Sequence, residues 1–230
     1  MPDANPPDTE TRLAWQMLGE HVLSAARHAA TGKIGLRQTP GGVGTPPFPF
    51  DGRQRRILLV GTELVLEDDA VVQRHPITTL ADAGELVGIA PGAPSDVYTP
   101  STPLDLTADL GARIDPAAAQ RLAAFYECTQ AALVTVCTRH ADRDPAEIQL
   151  WPEHFDLATT VDEVNLGGSP GDDAHSTPYL YVGPWAPRSG PFWNESFGAS
   201  RRLDEAPNAD AVATFFEEGL RRAAEDPPAP

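Results

Sequence analysis

Residues 115–140 read DPAAAQRLAAFYECTQAALVTVCTRH and contain the clearest structural signal in the chain. Asp115 before Pro116 predicts a helix start, because an aspartate side chain caps the first N–H groups and proline suits the first helical position. A stripe at helical spacing follows, made of Leu122, Phe125, Thr129, Leu133 and Val136. We predict one long helix that covers the face of a sheet with this stripe.

Short β-like runs lie on both sides of this helix. Upstream, Arg56–Val60, Glu63–Glu67 and Ala70–Arg74 are separated by turn residues and predict an antiparallel meander. Alternating strands and helices are too few for a doubly wound parallel sheet. We therefore expect an α+β fold, with a curved, mainly antiparallel sheet from residues 33–75 and 147–195 covered by the long helix.

Helices are predicted at both termini. The first runs from about Thr9 to Ala30 and stops at Gly32, and the last begins after Asn208 as its cap. Residues 1–9 and the tail 225–230 are proline-rich and polar, which predicts disorder. We expect a single α+β domain over residues 10–224.

The charge balance is strongly acidic, with 17 Lys and Arg against 33 Asp and Glu and a net charge of -16. It argues against nucleic acid and anionic membranes as partners, since both bind clustered basic residues. No apolar run is long enough to span a membrane, and the acidic N-terminus is unlike a secretory signal. We expect a soluble, cytoplasmic protein; one Lys against many Arg is typical of a GC-rich bacterial genome. The oligomeric state is left open.

Aromatic and acidic residues concentrate in the C-terminal half. Residues 151–197 hold half of the 16 Phe, Tyr and Trp, and residues 142–180 hold nine acidic residues and one Arg. This combination predicts an acidic, aromatic-lined pocket for a small polar or cationic ligand. The predicted ligand-binding residues are Asn165, Tyr179, Tyr181, Trp185 and Trp193.

Two alternating runs, Gln149–Leu157 and Val161–Gly167, predict a hairpin that turns around Thr159-Thr160. In that register Asp156 lies opposite Glu163, and His154 lies opposite Asn165. Directly opposed residues share a face of the sheet, so these groups would meet on one patch.

Two carboxylates so close together cannot both stay ionised and unpartnered in a half-buried site. Three outcomes remain open: one carboxylate takes a proton, a divalent cation lies between them, or both point into water. The first makes His154, Asp156 and Glu163 candidate catalytic residues. The second makes the same three residues candidate metal ligands, together with Asp172 and His175 from the loop that follows.

These patterns support three functions. The first is a small-molecule-binding protein; the second is a metal-assisted or acid/base enzyme, a hydrolase or isomerase, that uses the same pocket. The third is an acidic interaction module that docks a basic protein. Of these, the concentration of aromatic residues with negative charge favours the first.

Three motifs resemble the C-terminal signature of a family of uncharacterised bacterial proteins that is frequent in GC-rich genomes. They are HFDLA at 154–158, NLGGSPGD at 165–172, and PYLYV at 178–182 followed by Pro184-Trp185. The first 140 residues resemble the family more loosely. The resemblance implies a soluble α+β domain and assigns no catalytic role to any residue.

Overall fold

The structure is a computed structural model, and it describes residues 6–206 and 208–229. The chain divides into two compact units: Met1–Ala124 with Leu150–Phe155, and Phe125–Gln149 with Asp156–Pro230. The single domain predicted over 10–224 spans both units. In the part of the chain that the structure describes, no helix has the length and apolar character needed to cross a membrane.

The first unit begins with a helix that changes pitch in its middle. It consists of α1 (Pro6–Leu18), a π-helical turn (Gly19–Ser24) and α2 (Ala25–Thr31). Gly32, with φ of 70°, ends α2 in the left-handed conformation, which glycine adopts without steric cost. The predicted first helix and its stop are therefore confirmed.

The first unit also contains a six-stranded antiparallel sheet. Its strands are β1 (Arg37–Thr39), β2 (Gly42–Gly44), β3 (Phe48–Phe50), β4 (Arg53–Val60), β5 (Glu63–Asp68) and β6 (Val71–Pro76). They are ordered β1-β2-β4-β5-β6, and β3 pairs with β4. The predicted meander corresponds to β4, β5 and β6 and is confirmed.

Two short helices and the start of a long one complete the first unit. They are α3 (Leu80–Val87), α4 (Leu110–Arg113) and α5 (Pro116–Arg139). The Asp115 side chain accepts the Ala118 N–H at 2.8 Å, as predicted for the cap. Between α3 and α4, residues 89–108 form a loop without helix or strand.

The second unit contains the C-terminal part of α5, four antiparallel strands and the last helix. The strand β7 (Gln149–Trp151) comes before these strands in the chain. Its Leu150 belongs to the first unit and exchanges backbone hydrogen bonds with Leu36 of the same unit. The strands are β8 (Asp156–Val161), β9 (Val164–Ser169), β10 (Tyr179–Pro184) and β11 (Ala199–Arg202), adjacent in that order, and the helix is α6 (Ala209–Glu225).

Helices of the second unit pack on one face of its sheet. Gly168 of β9 lies against Phe125 and Thr129 of α5, and Val182 of β10 lies against Gly219 of α6. The register pairs Tyr181 of β10 with Gly167 of β9. Because neighbouring residues of a strand point to opposite faces, Tyr179 and Tyr181 lie on the face away from these helices.

The predicted α+β class, the long helix and the terminal helices are confirmed. The strands form two antiparallel sheets, however, where one curved sheet was expected. The residues between 33 and 76 supply the first sheet, and those after 149 supply the second.

The chain ends contain more backbone structure than the predicted disordered segments imply. Of residues 1–9, the first five lie outside the described residues, and α1 begins at Pro6. In the tail 225–230, the Ser189 N–H donates to the Pro227 carbonyl and the Ala229 N–H to the Pro187 carbonyl, both at 2.9 Å.

Candidate functional site

The turn between β8 and β9 decides which predicted site residues meet. The strands join at Asp162-Glu163, both with positive φ, so that Val161 pairs with Val164 and Leu157 pairs with Gly168. The predicted turn at Thr159-Thr160 is therefore wrong. Positive φ at both central residues gives a hairpin turn whose twist matches the flanking strands, and this places the turn three residues later.

The predicted acid/base pair is consequently not formed. Glu163 is exposed in the turn itself, whereas Asp156 begins β8 at the other end of the hairpin and is 7% exposed. His154 is exposed and lies in residues 150–155, which belong to the first unit. The predicted pairing of His154 with Asn165 is wrong, because the residue opposite Asn165 is Thr160.

Three of the predicted residues are neighbours at the turn end of the hairpin. Asn165 Oδ1 accepts the Thr160 hydroxyl at 2.9 Å and the Trp185 indole N–H at 3.1 Å. The Trp185 backbone N–H donates to the Glu163 carbonyl at 2.8 Å. Trp185 and Glu163 line a cavity of about 180 Å³ beside the ion pair of Arg143 with Asp162.

The predicted metal ligands are not assembled. Among residues 6–206 and 208–229, no three His, Cys, Asp or Glu side chains are placed to hold a metal ion. Asp172 Oδ1 instead accepts the backbone N–H groups of Ala174 and His175, at 2.8 and 2.7 Å. Asp172 and His175 are thus neighbours within a turn, while Glu163 lies in a different one.

The second unit does bring one group of aromatic and acidic side chains together, which we call the tyrosine cluster. Its members are Asp156, Asp172, His175, Tyr179, Tyr181, Glu195 and Phe197. The ring centroids of Tyr179 lie 4.7 Å from His175, 6.3 Å from Tyr181 and 6.4 Å from Phe197. Five of the seven members were predicted from the sequence as candidate site residues.

Each carboxylate of the cluster is hydrogen-bonded to an aromatic side chain. The Tyr181 hydroxyl donates to Asp156, and the Tyr179 hydroxyl donates to Asp172 at 2.7 Å. Glu195 Oε1 lies 3.0 Å from His175 Nε2 and accepts the Ser200 hydroxyl at 2.8 Å.

Burial and charge determine which of these groups carry protons. Burial and the Asp156 carboxylate raise the pKa of Tyr181, and burial with the Asp172 hydrogen bond raises that of Tyr179. Burial opposes ionisation of Asp172, but hydrogen bonds from Tyr179 and two backbone N–H groups outweigh it and lower the pKa of this carboxyl. Near neutral pH the tyrosines are protonated donors and Asp172 is ionised.

Gly167 creates the space for Tyr181. A Cβ atom at Gly167 would lie 2.6 Å from the Tyr181 ring and 2.9 Å from the Leu157 carbonyl oxygen. A larger residue would therefore displace the ring from its bond to Asp156. Gly167, the first glycine of the NLGGSPGD motif, thus has a steric role beside the site.

Sequence reasoning missed Glu195 and Phe197 and misplaced Trp193. Glu195 and Gly198 exchange backbone hydrogen bonds in a tight turn before β11, which brings Phe197 over the tyrosines. Trp193, predicted as a wall of the pocket, donates its indole N–H to Asp226 at 3.0 Å. No local pattern identifies this turn, because the segment before it lacks regular alternation.

Comparison with known proteins identifies no relative of this chain. No family model, no curated protein and no solved structure matches this chain.

Proposed function

We propose that the second unit binds a small organic cation at the tyrosine cluster. The observation that carries this proposal is the placement of two tyrosine rings and one phenylalanine ring beside three carboxylates on one face of a sheet. Aromatic faces and carboxylates both attract positive charge, and together they form the usual lining of an organic-cation site.

The cluster has a buried base and an accessible rim. Tyr179 and Asp156 at the base are 8% and 7% exposed, whereas Phe197 at the rim is 41% exposed. The side chains of Asp172 and Glu195 are 44% and 24% exposed. A cation at the rim would contact the Phe197 ring and these two carboxylates without displacing the hydrogen bonds of the base.

One guanidinium lies on the same face of the sheet. Arg202 is the register partner of Tyr179, and its Nε and Nη2 donate to the two carboxylate oxygens of Asp204 at 3.1 and 2.8 Å. This bidentate pairing directs the Arg202 charge to Asp204. The carboxylates of the tyrosine cluster therefore keep their attraction for an external cation.

The test is a calorimetric titration of the full chain with two compounds. One is tetramethylammonium, and the other is 2,2-dimethylpropanol, a neutral alcohol of similar size and shape. We expect the cation to bind and the neutral compound to bind at least about tenfold more weakly, a difference of about 1.4 kcal/mol. Equal binding of both compounds, or binding of neither, would overturn the proposal.

Variants locate the site. Phe197→Ala removes one aromatic face and should weaken cation binding about two- to fivefold, the range of an exposed cation–π contact. Glu195→Gln removes a rim charge and should weaken it by a similar factor. Trp185→Ala is the matched control, because Trp185 is an exposed aromatic of the same unit, 63% exposed, and lies outside the cluster. Weakening by Trp185→Ala alone would place the site elsewhere.

A further inference from the structure

The second unit contains a cavity, which we call the Arg188 cavity, apart from the tyrosine cluster. Its volume is about 180 Å³, and its lining comes from the β8–β9 turn, the end of β10 with the residues that follow, and the C-terminal end of α6. Among the described residues that line it, none belongs to the tyrosine cluster. Cavities of about 300–1,000 Å³ hold drug-sized ligands, so this cavity fits a smaller molecule.

The buried part of the lining is apolar. Val164 of β9 and Leu220 and Ala223 of α6 line the cavity, and each is only 5% exposed. These side chains offer no hydrogen-bonding group to a ligand. They therefore favour contact with a hydrocarbon group, which gains free energy when it leaves water.

Trp185 supplies an aromatic wall that the rest of the unit leaves uncovered. The residue is 63% exposed, but two hydrogen bonds fix its position. The indole N–H donates to Asn165 Oδ1 at 3.1 Å, and the backbone N–H donates to the Glu163 carbonyl at 2.8 Å. An indole ring that is both exposed and oriented offers its face to a flat aromatic ligand.

The Arg188 guanidinium is fixed at the cavity by two backbone carbonyl groups. Its Nε donates to the Ala223 carbonyl at 2.7 Å and its Nη1 to the Ala186 carbonyl at 3.2 Å, and both of these residues also line the cavity. These bonds use two of the five N–H donors of the guanidinium. Arg188 pairs with no carboxylate in the part of the chain that the structure describes. The remaining donors and the full positive charge are left for an anion.

Three other charged residues line the cavity. Arg143 and Asp162 form an ion pair with a nitrogen–oxygen distance of 3.1 Å. Glu163 is exposed in the turn, and its charge opposes the entry of an anion. Solvent screens an exposed charge, however, whereas the half-buried guanidinium donates hydrogen bonds by direct contact. Attraction by Arg188 therefore outweighs repulsion by Glu163.

We infer that the Arg188 cavity binds a small aromatic carboxylate. The planar guanidinium matches a carboxylate, because its N–H groups can meet both oxygens at once. The aromatic ring of the ligand contacts the Trp185 indole and the apolar lining. This inference does not rest on the organic-cation proposal, since the two sites share no residue and attract opposite charges.

The probe is benzoate, compared with benzamide at equal ionic strength, in calorimetric titrations of the full chain. The two compounds have nearly the same shape, but only benzoate carries a charge. We expect benzoate to bind at least about tenfold more tightly, because hydrogen bonds between ions are stronger than those between neutral groups. Equal binding of both compounds, or binding of neither, would overturn the inference.

Variants of the lining assign the binding to this cavity. Arg188→Gln should weaken benzoate binding at least about tenfold. Arg221→Gln is the matched control, because it removes the same charge from α6 at a position that pairs with Glu225 outside the cavity. Trp185→Ala should weaken binding about two- to tenfold, the range of an aromatic pair. Glu163→Gln should bind benzoate as tightly as the wild type or more tightly, since it removes the opposing charge.

A thermal midpoint confirms that each variant is folded, and Trp185→Ala tests the site independently of the Arg188 hydrogen bonds to the backbone. Phe197→Ala, at the tyrosine cluster, should leave benzoate binding unchanged. Three results would contradict the assignment: wild-type affinity in both Arg188→Gln and Trp185→Ala, equal weakening by Arg221→Gln and Arg188→Gln, or weakening by Phe197→Ala alone.

Discussion

Glu20 shows at the scale of one residue how a buried charge determines the path of a loop. Its carboxylate is inaccessible to solvent, and hydrogen bonds from Ser101 and Thr102 hold the loop of residues 89–108 to the π-helical turn. A buried carboxylate is tolerated when donors surround it. The loop therefore has a defined path although it contains no regular secondary structure.

We expect Glu20→Gln to lower the free energy of unfolding by about 2–4 kcal/mol, because an amide N–H would face the N–H of Ser101 or Thr102 and leave buried groups unpaired. Urea unfolding measures the change. Glu10→Gln, at an exposed position of the same helix, is the control and should stay within about 0.5 kcal/mol. Equal midpoints for the two variants would contradict this role of Glu20.

His175 lies between two carboxylates of the tyrosine cluster. Its imidazole is 3.0 Å from Glu195 and 3.9 Å from Asp172. Burial opposes ionisation of Asp172, but hydrogen bonds from Tyr179 and from two backbone N–H groups outweigh it and lower the pKa of this carboxyl. The Asp172 charge is therefore present at neutral pH, beside the imidazole.

At the scale of one element, β9 is built for close approach on both of its faces. Gly167 faces the Tyr181 ring, and Gly168 faces α5, where a Cβ atom would lie 2.9 Å from Phe125 and 3.0 Å from Thr129. Such contacts leave no room for a methyl group. The two glycines therefore set the distances from β9 to the tyrosine cluster and to the helix.

We expect Gly168→Ala to destabilise the protein by about 1–3 kcal/mol, the usual cost of overpacking a filled core. The matched control is Gly92→Ala, because a Cβ atom at Gly92 would meet nothing within 4 Å. Thermal unfolding of both variants measures the difference. Equal loss of stability in the two variants would contradict the prediction, because it would mean that α5 shifts enough to accommodate a methyl group at Gly168.

The β8–β9 hairpin also shows why the predicted site was only partly correct. Asp162-Glu163 forms the turn, yet it lacks the Asn-Gly or Asp-Gly signal that marks such turns in a sequence. Thr159 and Thr160, predicted as the turn, lie inside β8, where β-branched residues are favoured. A shift of the turn by three residues separates Asp156 from Glu163 along the whole hairpin.

At the scale of the whole molecule, tyrosine ionisation links stability to alkaline pH in both units. Tyr98 belongs to the first unit and Tyr179 and Tyr181 to the second, and burial raises the pKa of all three. In the unfolded chain tyrosines lose their protons at about pH 10. The folded chain then holds more protons than the unfolded chain, so stability falls as the pH rises above this value.

We therefore expect at least three of the four tyrosines to stay protonated in the native protein at pH values where the unfolded chain is ionised. Tyrosinate absorbance, followed along a pH titration with and without denaturant, counts the ionised groups. Reversible ionisation of two or more tyrosines at about pH 10 without unfolding would contradict the burial described here.

Local signals in the sequence account for the kinds of helix and strand and for many of their ends. The stripe after Asp115, the cap at Asn208 and the stop at Gly32 are local signals, and the corresponding helices are present. The sequence also identified most of the tyrosine cluster, because aromatic and acidic residues are concentrated in one region.

Two features depend on long-range contacts: the strands form two sheets, and Glu195 and Phe197 join Tyr179 and Tyr181. Alternating strands of similar composition fit several registers nearly equally well. The choice among registers rests on contacts between residues remote in sequence, such as Gly168 against Phe125, and no local pattern contains that information.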